Sequence, residues 1–111
     1  MILKNNSAIS NGITISTTAL NNLGTVTNSG TGSVSTLISA VIGTNVTGVV
    51  QQSATSALEL SASNVAYEKG ITIKAGSLNA TTNLNALGAA TNSIKLGDTT
   101  GSANATLVYG L

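Results

Sequence analysis

Apolar and polar residues alternate along this chain in short bursts. Leu58-x-Leu60, Ile71-x-Ile73, Ile94-x-Leu96 and Leu107-x-Tyr109 each place an apolar residue at every second position, the period of a half-buried strand. Ile13-x-Ile15 does the same, and weaker runs lie near 33–41 and 48–50. Between the bursts sit clusters of Asn, Gly, Ser and Thr at 28–32, 62–64 and 97–102, which are turn material. Gly12, Gly70, Gly76, Gly88 and Gly97 suit positive φ or a tight corner. Helix is disfavoured by the many Thr, Ser, Asn, Gly and β-branched residues. The one exception is 82–90, where Leu84, Leu87 and Ala90 could form a short helical turn.

The bursts repeat. Gly12-Ile13-Thr14-Ile15 recurs as Gly70-Ile71-Thr72-Ile73, an offset of 58 residues (70 − 12). At that offset Ile2 falls on Leu60, Asn6 on Asn64, Ala8 on Ala66, Ile9 on Tyr67, Leu20 on Leu78 and Asn21 on Asn79. After an insertion, Leu23-Gly24 corresponds to Leu87-Gly88, and Thr27-Asn28-Ser29 to Thr91-Asn92-Ser93. The chain therefore reads as one domain over 1–111 made of two diverged units, about 1–57 and 58–111. Leu58 to Ile94 and Ile71 to Leu107 are both 36 residues apart (94 − 58 and 107 − 71). Coils of about 18 residues would give that beat, predicting a parallel β-solenoid of five to six coils. Asn residues at equivalent places could form side-chain ladders between coils.

Composition favours such a stack. Two tyrosines are the only aromatics, so the interior must be filled by Leu, Ile, Val and Ala, which suits a narrow core laid down rung by rung. Charged residues make up 6% of the chain, against about 25% in an ordinary soluble domain. Roughly two residues in five are Ser, Thr or Asn, so the surface is polar without being charged. A net charge of +1 gives no basic footprint for nucleic acid and little repulsion between copies. Proline is absent, so nothing blocks pairing along an open edge. Without cysteine there is no disulfide framework or thiolate metal site. No stretch approaches the ~20 apolar residues of a membrane helix, and 1–10 lacks the apolar core of a signal peptide. A Cys-free, Lys-poor, Thr/Asn/Ser-rich surface suits the outside of a bacterial cell.

One stretch carries a family pattern. Residues 58–78 pair alternating Leu58 and Leu60 with Ser61-x-x-Asn64-x-x-Tyr67, Gly70, Thr72 between Ile71 and Ile73, and Ala75-Gly76-x-Leu78. This resembles the autotransporter-associated β-strand repeat, also called the passenger-associated transport repeat. Ala86-Leu87-Gly88 and Ile94-x-Leu96-Gly97 are similar to the family's continuation. The likeness is weaker over 2–24, where Ile9 stands at the Tyr position and Thr18 at the second Gly. The resemblance implies a right-handed parallel β-helix outside a bacterial cell. It also implies one stretch of a longer passenger, aiding folding and transport rather than doing chemistry. The family's translocator barrel, a series of ~10-residue alternating strands, has no counterpart in this sequence.

Residues capable of chemistry are few. Glu59, Glu68 and Asp98 are the only acids, and they form no cluster with Arg in the sequence. They read as solvated surface charge, with Glu68 and Lys69 beside Lys74 forming weak surface pairs. No His or Cys is present for a transition metal. Asp98 with Thr99-Thr100-Gly101 could hold calcium but reads as a turn. Gly30-Thr31-Gly32 lacks the Gly-Lys-Ser/Thr ending of a phosphate loop. The sequons at Asn5, Asn45, Asn79 and Asn104 are what so Asn- and Thr-rich a chain produces by chance. Thr25-x-Thr27 does not recur once per coil, as an ice-binding rank would require. No enzyme, cofactor or metal is expected.

What remains is assembly. Ile2 and Leu3 at one end, and Leu107, Val108, Tyr109 and Leu111 at the other, carry no charged loop or proline to cap the stack. These ends are expected to pair head to tail with copies of the same chain, a contact that propagates into a filament. The alternative is a stalk segment of a longer surface adhesin.

Overall fold

A short run of alternating residues that cannot hide its apolar face alone must find it cover on a neighbouring rung. That requirement is met by stacking. The computed structural model describes all 111 residues. Its strands are β1 (Ile2–Leu3), β2 (Ile13–Ile15), β3 (Ala19–Leu20), β4 (Gly24–Asn28), β5 (Thr36–Ile38), β6 (Val41–Ile42), β7 (Val46–Gln51), β8 (Leu58–Leu60), β9 (Ile71–Ile73), β10 (Gly76–Ala80), β11 (Ile94–Leu96) and β12 (Ala105–Tyr109). All pairings are parallel.

Two five-stranded sheets result, in the orders β1-β4-β7-β9-β11 and β2-β5-β8-β10-β12, with β3 and β6 forming a short third face. The chain alternates between the two large sheets as it winds, and both contribute to one core. It is an all-β parallel solenoid without helix. The segment 82–90 holds a turn closed by Ala86 N to Asn83 O and Gly88 N to Asn85 O, not a helix.

The solenoid makes about four turns, fewer than the five to six expected, because each coil is longer than 18 residues. Ile13 pairs with Thr36 and Thr36 with Leu58, steps of 23 and 22. Val49, Ile71 and Ile94 stack at steps of 22 and 23. The 36-residue beat compares strands from different sheets: Leu58 and Ile94 lie in opposite ones, as do Ile71 and Leu107. The same holds for the recurring Gly-Ile-Thr-Ile stretches, since Ile13 and Ile71 also lie in opposite sheets. An offset of 58 is thus not a whole number of coils.

Strand alternation sends every second side chain inward, and parallel register lines them up as columns. One runs Leu3, Asn28, Gln51, Ile73, Leu96. A second runs Ile13, Thr36, Leu58, Leu78, Leu107. Leu58, Leu78 and Ile73 are fully buried, each worth ~1.5–3 kcal/mol in transfer from water. Close approach of the chain to itself at a corner of the first coil explains Gly12. Its φ is not positive; a Cβ there would sit 2.8 Å from Asn5 Oδ1 and 2.9 Å from the Ser7 Cβ, so any side chain would clash.

Buried polar side chains must find partners, because burial without one costs ~1–3 kcal/mol per group. Asn28 and Gln51 lie inside the core with no exposure. Asn28 Nδ2 donates to Gln51 Oε1 and to Ser56 O, each at 2.8 Å. Gln51 Nε2 donates to Ser53 O at 2.8 Å and Ser56 O at 3.0 Å, and the Thr36 hydroxyl donates to Asn28 Oδ1 at 3.2 Å. The Asn5 amide reaches Ser35 O at 2.9 Å. On the third face, Leu20 pairs with Ile42, and Asn64 continues that line. Its Oδ1 accepts from Ile42 N at 2.8 Å and its Nδ2 donates to Ala86 O at 2.7 Å. One amide side chain therefore ties three coils where no strand forms. These amides bond mostly to backbone of adjacent coils, so the expected Asn–Asn ladder is replaced by side chain-to-backbone rungs and a single Asn–Gln pair.

Candidate assembly surfaces at the two ends

An edge strand has a neighbour on one side only, and its other side offers unpaired N–H and C=O groups. The edge strands here are β1 and β2 at the N-terminal end, and β11 and β12 at the C-terminal end. Each end therefore presents one edge from each large sheet.

The C-terminal face is built by four core-facing side chains. Ile94 and Leu96 continue the columns of Ile71 and Ile73; Leu107 and Tyr109 continue those of Leu78 and Ala80. Their neighbours one coil below are buried to 1% or less, whereas Leu96 is 60% and Tyr109 52% exposed. Ile94 and Leu107 are half-buried. The Tyr109 hydroxyl is anchored to Leu84 O at 2.8 Å, which holds the ring over the coil beneath. The residue types of the core thus run on into a face that no residue of this chain covers.

The N-terminal face is less open. Leu3 and Leu20 are buried, while Ile13 and Ile15 are half-buried. Not all of the residues expected at the ends share this orientation. Ile2 lies in register with Thr27, and Val108 with Asn79; both occupy outward positions on their sheets. Leu111 follows the last strand and is exposed. The missing members of the two faces are Ile13, Ile15, Ile94 and Leu96, which the sequence marks as repeat positions. Their register with buried neighbours is what assigns them to the ends, and a correct coil length would have revealed it.

The remaining repeat residues have varied settings. Tyr67 is buried, and its hydroxyl donates to Gly70 O at 2.8 Å. Burial pushes that phenol up to about 12, opposed by a backbone hydrogen bond with Val49. Ile71, Leu60 and Leu78 are core residues, and Leu87 packs half-buried against them. Gly70, Gly76 and Gly88 have positive φ, as does Gly24. Asn6 is exposed and accepts from Thr31 N at 3.0 Å, whereas the neighbouring Asn5 is the buried amide. Leu23, aligned with Leu87, is 88% exposed.

The acids are separated by the fold. Glu59 Oε2 accepts from the Ser35 hydroxyl at 2.9 Å, Glu68 Oε2 from Thr91 at 3.3 Å, and Asp98 Oδ1 from Thr100 N at 3.4 Å. No group of three or more His, Cys, Asp and Glu gathers in one place. Gly30 and Gly32 lie against the backbone of Asn5 and Ser7, so the Gly-Thr-Gly turn is filled by its own chain. Shallow clefts of about 380 Å³, beside Ala57, Ser77 and Thr106, and of about 250 Å³, beside Gly48, Gly70 and Lys95, mark the outer faces. No helix is long and apolar enough to cross a membrane. No family model, curated protein or solved structure matches the chain.

Proposed function

We propose that this chain is a structural module that stacks end to end with copies of itself into a filament outside the bacterial cell. The observation that carries the reading is the continuity of the core columns into the C-terminal face. A second copy placed in the same register would set its Leu3 on Leu96, its Ile13 on Leu107 and its Ile15 on Tyr109. Apolar residues would meet apolar residues, while the polar members of those columns, Asn28, Thr36 and Gln51, stay in the middle coils. The size is adequate. With an extent of 30 Å along each principal axis, an end face projects at most about 900 Å², comparable to the ~800 Å² per partner of a stable interface. Placement outside the cell draws on the uncharged polar surface, the absence of Cys and the likeness to the autotransporter repeat.

A second reading has the same end covered by further coils of a longer polypeptide, making this a stalk segment of a surface passenger. The exposed Leu96 and Tyr109 favour it equally, since a following coil would bury them. Light scattering across a wide concentration range separates the two. Stacking predicts a mass that grows with concentration and a Leu107→Asp variant that stays monomeric. A wild-type chain that is monomeric throughout would remove the filament and leave the stalk.

A further inference from the structure

The chain holds thirteen asparagines but only one Asn-Gly step, Asn11-Gly12. Asn11 is also the only non-glycine residue with positive φ, at 51°. Both residues are exposed, in the first coil, just ahead of the edge strand β2. The Gly12 N–H makes no hydrogen bond within the chain. At two other exposed or buried candidates the following nitrogen is already engaged: Ser7 N donates to Asn5 Oδ1, and Ser29 N to Leu3 O. The chemistry of amide loss needs what Asn11 alone combines: a following nitrogen without a side chain to hinder it, free of other bonds, and open to water.

We propose that Asn11 is a self-modification site, and that its conversion to an acid charges the N-terminal end of the solenoid and weakens stacking there. Gly12 N gives its proton to solvent and attacks Asn11 Cγ. The new C–N bond closes a cyclic imide, and the bond from Cγ to Nδ2 breaks to release ammonia. Water then opens the ring at either carbonyl, leaving aspartate or isoaspartate. The net change is amide plus water to carboxylate plus ammonium, with nothing oxidised or reduced.

The consequence follows from the neighbours. Ser35 Oγ lies 3.0 Å from Asn11 Oδ1 and 2.9 Å from Glu59 Oε2. Ser35 has one proton to donate, and Glu59 as a carboxylate can only accept. An asparagine satisfies this line by turning its NH₂ to the serine, since its O and N ends can exchange. An aspartate cannot: two carboxylates would then compete for one hydroxyl across successive coils. The acid would also put negative charge two residues ahead of the half-buried Ile13 that a stacking copy must cover, at a desolvation cost.

The first half of the proposal stands alone; the second rests on the stacking reading. Purified chain is aged at neutral pH and mildly alkaline pH, and peptide mass spectrometry follows the conversion at each asparagine. Asn11 is expected to convert several-fold faster than any other, faster still at the higher pH, and not at all in Asn11→Gly, which keeps the positive φ. Equal or faster conversion elsewhere would overturn the modification site. Pelleting assays then compare Asn11→Asp with Asn11→Gly, with circular dichroism confirming that both fold. Several-fold less pelleted material for Asn11→Asp supports the consequence; equal pelleting overturns it. If neither variant nor wild type pellets, the stacking reading and the consequence fall together, while the mass data still decide the modification.

Discussion

The middle of the solenoid and its C-terminal coil use the same kinds of residues in the same columns, yet they live in different environments. In the middle, Leu58, Leu60, Ile71, Ile73 and Leu78 are sealed between rungs above and below. In the last coil, Ile94, Leu96, Leu107 and Tyr109 occupy the next positions of those columns with a rung on one side only. The difference lies in the absence of a neighbour, not in side-chain chemistry. Polar groups show the reverse distribution. Most buried amides and hydroxyls, Asn28, Gln51, Thr36, Ser53 and Ser56, gather in the second and third coils, where partners exist on both sides; Asn5 in the first coil is buried by bonding to Ser35 O of the next. A polar side chain in an open column would lose its water on stacking without a matched partner, and the core-facing positions of the last coil are apolar.

The largest contrast should come from truncating one column at two depths. Leu58→Ala removes a fully buried side chain and is expected to cost about 2–5 kcal/mol in denaturant unfolding. Leu107→Ala, in the same column at the open end, should cost well under half as much for the isolated chain. Near-equal losses would break the comparison.

Next in size is the amide pair. Gln51→Leu takes the Gln51 Oε1 acceptor from the Asn28 amide and leaves Ser53 O without its donor, and about 1–3 kcal/mol of stability should go with it. Replacing both Asn28 and Gln51 with leucine should cost less than the sum of the two single changes, because the one Asn28–Gln51 bond is removed by each single change. A double-mutant cycle in urea checks this.

Tyr67 sharpens the comparison in a different way. Its phenol is pushed up to about 12 in the folded chain from 10.0, so the folded state holds the proton more tightly than the unfolded one. Stability from this group is full below pH 10 and is lost as pH rises through 12. Tyr67→Phe should remove that alkaline loss and, by deleting the bond to Gly70 O, lower neutral stability by about 0.5–1.5 kcal/mol. The smallest effect belongs to Val65→Ser on the exposed third face, within about 0.5 kcal/mol of wild type.

Strands whose inward residues are all large and apolar were legible from sequence. Ile71-x-Ile73, Leu58-x-Leu60 and Leu107-x-Tyr109 announce themselves by alternation. β4 does not, because its inward positions are Val26 and Asn28 and the amide breaks the apolar period. β10 opens with Gly76 and closes on Ala80, so only Leu78 signals burial. Coil length was illegible for a related reason: the passage between sheets varies, from two residues between Ile73 and Gly76 to thirteen between Ala80 and Ile94. Distances between strands of different sheets then mimic a period. The buried polar corner was hidden because Asn, Ser and Thr read as turn residues wherever they occur. At the ends, Leu107 and Tyr109 were legible, whereas Ile13, Ile15, Ile94 and Leu96 needed the true register.

The central claim is that the open columns of the last coil are completed by the first coil of another copy. Electron microscopy of the purified chain in mild buffer, with power spectra from any fibres, tests it most directly. The account predicts uniform thin filaments with a strong layer line near ~4.8 Å, the spacing of stacked strands. They should be lost in Leu107→Asp. Dispersed single particles at every concentration would contradict it.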